Sequence, residues 1–275
     1  MIFGFMKILF FGDIVGKPGR QAIKKILPKL KEKYEPDLIL ANGENLAHGK
    51  GISQDSTKEM IDAGIDWLTL GNHAFSKKGT QDIFEDKKLP LLRPANWGQE
   101  IPGRGFAQIN IRSKKILLIN LVGRVFMQQQ FDNPFLCAKE ILEDYSLKKE
   151  SGKEKVSAII IDWHAEATSE KVAMGWYLDG KVSFVVGTHT HVGTDDARVL
   201  PGGTAFVSDV GMVGVQDSVL GVDKEIIIKR FLTQLPYQME VAEGPVLVSA
   251  VLVTIDEKTG LAQNIEKLKE IVKVD

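Results

Sequence analysis

The sequence predicts an α/β fold in which two sheets pack face to face with helices outside. Three observations carry this. Short β-rich runs alternate with amphipathic helical runs for most of the length. A tight polar turn joins Phe106–Ile111 to Lys114–Val122 as a hairpin, so the sheets are mixed rather than wholly parallel. The last third of the chain is richer in strands than in helices.

The elements follow in order. Lys7–Gly12 is an apolar first strand. Pro18 to about Lys33 is a helix with Ala22, Ile23, Ile26, Leu27 and Leu30 on one face and a kink expected at Pro28. Asp37–Ala41 is the second strand. Ser56-Thr57-Lys58-Glu59 has capping-box spacing and opens a short helix ending near Gly64, followed by the strand Asp66–Leu70. After the hairpin come a helix over Ala138–Leu147, strands over Val156–Trp163 and Val182–Gly187, and a hairpin-like Ala197–Ser208. A helix over Asp223–Leu235 and a terminal strand pair, Val246–Ile255 with Leu261–Ile271, complete the chain.

A length of 275 residues admits one large domain or two smaller ones. No Pro/Gly/Ser-rich linker, repeat or low-complexity stretch divides it, so a single domain over 1–275 is expected, with Met1–Phe5 an extension ahead of a strand that can start at Met6. With 35 basic and 36 acidic side chains the charge is too balanced for a protein that holds long nucleic acid by phosphate neutralisation. The N-terminal apolar run lacks the basic flank and cleavage site of a signal peptide, and no later run is long enough to span a bilayer. No membrane association is expected. Cys137 is the lone cysteine, which excludes an intramolecular disulfide and any cysteine-based zinc site and fits a reducing cytoplasm.

Chemistry-bearing residues gather just beyond strand ends. They are Asp13, Glu44 with Asn45, Asn72 with His73, His164, and His189 with His191. Ligands of open α/β sheets collect beyond the carboxyl ends of strands, so these separate loops are placed to converge. Singly, Asp13 reads better as a helix cap, Glu44-Asn45 as turn residues and Asn72 as a left-handed turn, while His164 and His189 read equally well as hydrogen-bonded core histidines. Together they make a ligand set. In an extended Thr188-His189-Thr190-His191 both imidazoles would share a face. Three histidines, two carboxylates and two amides exceed one tetrahedral ion and suit two adjacent divalent first-row cations, Fe or Mn first and Zn as the alternative.

Other chemistries fit poorly. Gly12–Lys17 approximates a phosphate-binding Walker loop but is one residue short, with Pro18 where a hydroxyl should be; its glycines serve a tight strand-to-helix turn. There is no GxSxG elbow, and Cys137 lacks the context of a catalytic thiol. His48, in Ala47-His48-Gly49-Lys50-Gly51, belongs either to a loop beside the site or to a solvated surface loop.

The ordered motifs Gly12-Asp13, Asn42-Gly43-Glu44-Asn45, Gly71-Asn72-His73, His164 and Gly187-Thr188-His189-Thr190-His191 resemble those of the calcineurin-like metallophosphoesterases. The likeness is closer to the YmdB-type branch of 2',3'-cyclic-nucleotide 2'-phosphodiesterases, through Gly12–Arg20, Arg93–Asn96, Asp162–Lys171, Gly187–Thr194 and Ser208–Gly214. Most of the superfamily has Asp-x-His after the first strand and a bridging aspartate. Here Val15 and Glu44 stand at those places, as in the YmdB-type pattern, and Ala74 stands where many relatives carry an acid.

The resemblance implies a four-layer α/β/β/α sandwich with two mixed sheets. It implies that Asp13, Glu44, Asn45 and His191 hold one metal and Glu44, Asn72, His164 and His189 the other, with Glu44 bridging and His73 as proton donor. The implied activity is hydrolysis of 2',3'-cyclic nucleotides to 3'-nucleotides by a hydroxide held between the metals. A broader phosphodiesterase or phosphomonoesterase, and a regulatory protein of the same fold, are the alternatives. The partner expected is a small phosphodiester, and a homo-oligomer is left open.

Overall fold

The structure is a computed structural model that describes residues 4–98 and 100–274. From the N-terminus, β1 (Phe5–Phe11), β2 (Asp13–Ile14), α1 (Gly16–Tyr34), β3 (Leu38–Asn42), α2 (Gln54–Ala63), β4 (Trp67–Thr69), α3 (Thr80–Glu85) and β5 (Leu91–Leu92) form the first part. Then come β6 (Phe106–Ile111), β7 (Lys114–Val122), α4 (Pro134–Asp144), β8 (Tyr145–Ser146), β9 (Glu154–Lys155), β10 (Ala158–His164), α5 (Thr168–Leu178) and β11 (Phe184–Thr188). The rest is β12 (Arg198–Val199), β13 (Ala205–Val207), β14 (Met212–Val215), α6 (Lys224–Thr233), β15 (Val246–Asp256) and β16 (Ala262–Val272).

Two mixed sheets result. The first runs β2-β14-β15-β1-β3-β4-β5, with β16 on β15. Here β1, β3, β4 and β5 are parallel, while β15 lies antiparallel to β1 and pairs Leu252 with Leu9. The second runs β12-β13-β11-β10-β7-β6, with β7, β10, β11 and β13 parallel and antiparallel strands at both edges.

Alternation along the strands sends side chains to opposite faces. Leu9, Phe11, Ile39 and Leu68 pack against Ala22, Ile23, Leu27 and Met60 of α1 and α2. Ile8, Phe10, Leu40 and Val253 of the first sheet instead meet Leu118, Ile160, Phe184 and Val207 of the second. Phe10 and Phe184 stack edge to face across that layer, centroids 6.5 Å apart. The second sheet's other face, with Ile119, Ile161 and Trp163, buries against α4 and α5. Each cluster is apolar and buried, so burial stabilises the fold by roughly 1.5–3 kcal/mol per large side chain.

Several expectations need correction. The first strand begins at Phe5, which pairs with Asp256, and the Gly4 carbonyl accepts from the Glu257 N–H at 3.1 Å. Phe5 of the expected extension therefore belongs to the sheet and Gly4 is hydrogen-bonded just ahead of it, whereas Met1–Phe3 lie outside the described residues. The box that caps α2 is Ser53 with Ser56, their hydroxyls and N–H groups exchanging bonds of 3.0–3.2 Å. Glu59 instead holds Arg20 at 2.5 Å. Helix α1 runs continuously through Pro28, and α4 begins four residues early at Pro134, capped by Asn133.

Candidate metal centre

Because β1, β3, β4, β10 and β11 have parallel partners within their sheets, their carboxyl ends deliver the expected residues to one place. Asp13 follows β1, Glu44 and Asn45 lie in the turn after β3, Asn72 and His73 follow β4, and His164 ends β10. Asp13, Glu44 and His164 are fully or almost fully buried, at 0%, 1% and 0% exposure. Asp13 caps no helix: α1 starts from Val15 without a side-chain cap bond.

One group of donors centres on His164. Its Nε2 lies 3.0 Å from Glu44 Oε1, 3.2 Å from Asn72 Oδ1 and 3.0 Å from His189 Nδ1. A single ring nitrogen cannot serve three such partners with one proton, whereas a cation among them would. The potential ligand atoms of Glu44, His164 and His189 all fall within 4.8 Å of one another. Gly71 keeps the space open, since a Cβ there would sit 2.1 Å from His164 Nε2 and 2.4 Å from Glu44 Oε2.

A second group lies around Asp13. His191 Nε2 approaches Asp13 Oδ1 at 3.7 Å. Asp13 Oδ1 and Asn45 Oδ1 are both buried acceptors without a hydrogen-bond partner. A buried oxygen left unpaired costs about 1–3 kcal/mol, so each of these two fits a ligand that accepts lone pairs.

Each of three imidazoles has one nitrogen at the centre and the other tied outward. His164 Nδ1 donates to Thr188 Oγ1 at 2.9 Å, because that hydroxyl spends its own proton on Asp162 Oδ1 at 2.7 Å. His189 Nε2 meets Glu166 Oε2 at 2.8 Å, and His191 Nδ1 donates to the Leu220 carbonyl at 3.0 Å. These outer bonds fix the tautomers and aim the ligand nitrogens inward, as metal-binding histidines require.

His189 and His191 reach the centre differently from the expected extended pair. The strand stops at Thr188, and both histidines take left-handed backbone, φ 97° and 65°. The bend is braced from below. Lys171, 1% exposed on α5, donates to the Thr188 carbonyl at 2.7 Å and to Asp209 Oδ2 at 2.5 Å. Asp209 in turn accepts from Thr190 N–H at 3.0 Å and Thr190 Oγ1 at 2.8 Å.

Burial and mutual proximity shift the titration of these groups. Burial pushes the Asp13 carboxyl up, against the pull of His191 and His164. Burial also acts to raise Glu44, but His164 and then His73 hold it below the usual carboxylate range. For His164 burial favours the neutral ring, yet Glu44, Asp13 and Asp162 outweigh it and raise the imidazole to about 9. Burial and the neighbouring His164 lower His189 to about 3, leaving it neutral and able to coordinate. Burial also pushes the Cys137 thiol up to about 11, which disfavours a thiolate nucleophile.

His73 is tied by its backbone, whose N–H donates to Glu44 Oε2 at 3.0 Å, while its Nδ1 lies 3.5 Å from Ser76 Oγ. His48, φ 55°, lines a cleft of about 910 Å³ with Lys17, Arg20 and Lys77, none of the expected ligands among its lining residues. Asn42, Asp162, Lys171 and Asp209 carried no expected role. Asn42 Nδ2 donates to Asp162 Oδ2 at 2.9 Å, linking the two sheets under His164. A charged residue inside the apolar run Ala158-Ile-Ile-Ile-Asp162 was the available signal.

The fold and this cluster make an α/β protein with a buried histidine–carboxylate group whose ligand atoms are close enough to hold a metal ion. The YmdB-like protein family model matches residues 9–268, and the chain belongs to that family. It is 47% identical to the 2',3'-cyclic-nucleotide 2'-phosphodiesterase of Bacillus subtilis, over 96% of both chains. The crystal structure of a novel phosphatase from Mycoplasma pneumoniae superposes with a TM-score of 0.90 at 34% identity, covering 100% of this chain and 96% of that one. A putative 5'-nucleotidase from Staphylococcus aureus shares the fold alone, with a TM-score of 0.59 at 15% identity over 98% of this chain and 54% of its own.

Proposed function

We propose that this chain hydrolyses 2',3'-cyclic nucleotides to 3'-nucleotides with two divalent cations bound. The observation that carries this is the three imidazoles, each with one nitrogen anchored outside and one presented to buried oxygen donors. The likeness to the Bacillus subtilis enzyme supports the substrate class. Asp13, Asn45 and His191 would hold one cation and Asn72, His164 and His189 the other, with Glu44 shared. Mixed imidazole and oxygen donors favour Fe or Mn, with Zn the alternative. When bound, such a pair supplies Lewis-acid charge for the phosphoryl oxygens and an acidified water as nucleophile.

The chain's own residues do the rest. Glu44 orients His73 through the backbone bond to Oε2. Burial lowers the His73 imidazole while Glu44 opposes it; an anionic phosphodiester beside the ring would add to that opposition and favour the protonated form. His73 then gives its proton to the departing ribose 2'-oxygen as the P–O2' bond breaks, and water supplies the new oxygen on phosphorus. The product is a 3'-phosphomonoester and a free 2'-hydroxyl.

The same reading takes 1–275 as one domain in a four-layer α/β/β/α sandwich. Its support is the pairing of β1 with β15 and the three separate apolar clusters. The single free cysteine supports a reducing cytoplasm. Among the described residues no helix is long and apolar enough to cross a membrane.

A metal-reconstituted assay across 2',3'-cyclic, 3',5'-cyclic and linear phosphodiesters and phosphomonoesters tests the proposal. Preferred turnover of the 2',3'-cyclic substrates to 3'-nucleotides is expected. A 2'-nucleotide product, or preference for a monoester, would overturn it.

A further inference from the structure

The segment 123–130 leaves β7 and passes along the centre, tied to it at both ends. The Gly123 N–H donates to the His164 carbonyl at 2.9 Å, and Gln129 Nε2 donates to the Asn72 carbonyl at 3.2 Å. Between these anchors Glu170 of α5 accepts from the Arg124 N–H at 3.0 Å and the Val125 N–H at 3.3 Å. Phe126 stands at the crest, 83% exposed, with φ 64°. A large aromatic ring in water gains nothing from the hydrophobic effect, and a β-carbon disfavours left-handed backbone. Such a combination, held by two hydrogen bonds to the backbone carbonyls of His164 and Asn72 and two to the Glu170 carboxylate, is of the kind found at ligand clamps.

We propose that Phe126 is the platform on which the nucleobase of the substrate stacks. This rests on the phosphodiesterase reading and adds which part of the nucleotide the protein grips. The reach allows this: Phe126 is three positions from Gly123, at most ~11 Å of chain, and the Gly123 N–H is bonded to the His164 carbonyl, so the crest stands close to the centre. In a 2',3'-cyclic nucleotide the base is one ribose away from the phosphorus. Stacking needs only a π-face, so every base is accepted, with purines favoured by their larger overlap.

The test compares the metal-loaded wild type with Phe126→Ala and Phe126→Trp, on adenosine 2',3'-cyclic phosphate and on ribose 2',3'-cyclic phosphate, which has no base. Loss of a stack worth ~1–3 kcal/mol corresponds to a rise in KM of roughly 5- to 150-fold. That rise is expected for Phe126→Ala on the adenosine substrate alone, with Phe126→Trp close to wild type. Calorimetric binding of adenosine 3'-phosphate should weaken by a similar factor. An unchanged KM for the adenosine substrate, or equal rises on both substrates, would overturn the assignment. If the wild type turns over neither cyclic substrate, the phosphodiesterase reading fails, and adenosine 3'-phosphate binding still decides the platform: weaker binding by Phe126→Ala supports it, while equal or absent binding in both proteins rejects it.

Discussion

His73 meets the centre through its backbone N–H, so truncating the ring leaves the bond to Glu44 in place. This separates a proton donor from a ligand. A general acid matters most when the leaving oxygen is strongly basic, as a ribose alkoxide is. His73→Ala is therefore expected to lower kcat on adenosine 2',3'-cyclic phosphate by roughly 10²–10⁴-fold. On bis(p-nitrophenyl) phosphate, whose phenolate needs little protonation, the loss should be far smaller, and elemental analysis should find the metal content unchanged. Equal losses on both substrates, with a metal gone, would place His73 among the ligands.

At the scale of elements, the strands and the loops that follow them were legible because apolar runs and chemistry-bearing residues alternate along the chain. Helix α5 was not. Its inner face consists of Lys171, Met174, Gly175 and Leu178, and Ala167 supplies no capping side chain, so neither periodicity nor a start signal marks it. The strand β14 is four residues long and contains a glycine, and its partner β2 has two residues. At the site, the ligand types and their order along the chain could be read. The left-handed backbone of His189 and His191 could not, because it depends on Asp209 and Lys171, which are distant in sequence. Those two make a fully buried ion pair, each 1% exposed. Removing one partner leaves the other charge buried, so Lys171→Met should cost about 3–5 kcal/mol. Urea denaturation reads this, and Lys171→Met with Asp209→Asn should recover part of the loss. A cost below about 1 kcal/mol would mean that the bend after β11 stands without the brace.

For the whole molecule, the centre is a tie between the two sheets, since Asp13, Glu44 and Asn72 come from one and His164 and His189 from the other. A cation held by both should stabilise the folded state by about 2.7 kcal/mol at a hundredfold excess over its Kd. Chelation is then expected to lower the melting temperature by roughly 5–10 °C, and re-addition of metal should restore it. A melting temperature indifferent to chelation by a protein shown to have lost its metal would argue against the tie.

The pairing of β1 with β15 also bears on how the protein is made. Leu9 leaves the ribosome well ahead of its antiparallel neighbour, Leu252. At synthesis rates of ~5–20 residues/s that partner arrives on the order of tens of seconds later. Until then β1, the strand that leads into Asp13, has one edge open, and the nascent chain has nothing finished to load. Metal acquisition therefore belongs after translation, and a ribosome-stalled chain ending before Val246 should bind no stoichiometric metal, however complete its set of ligands.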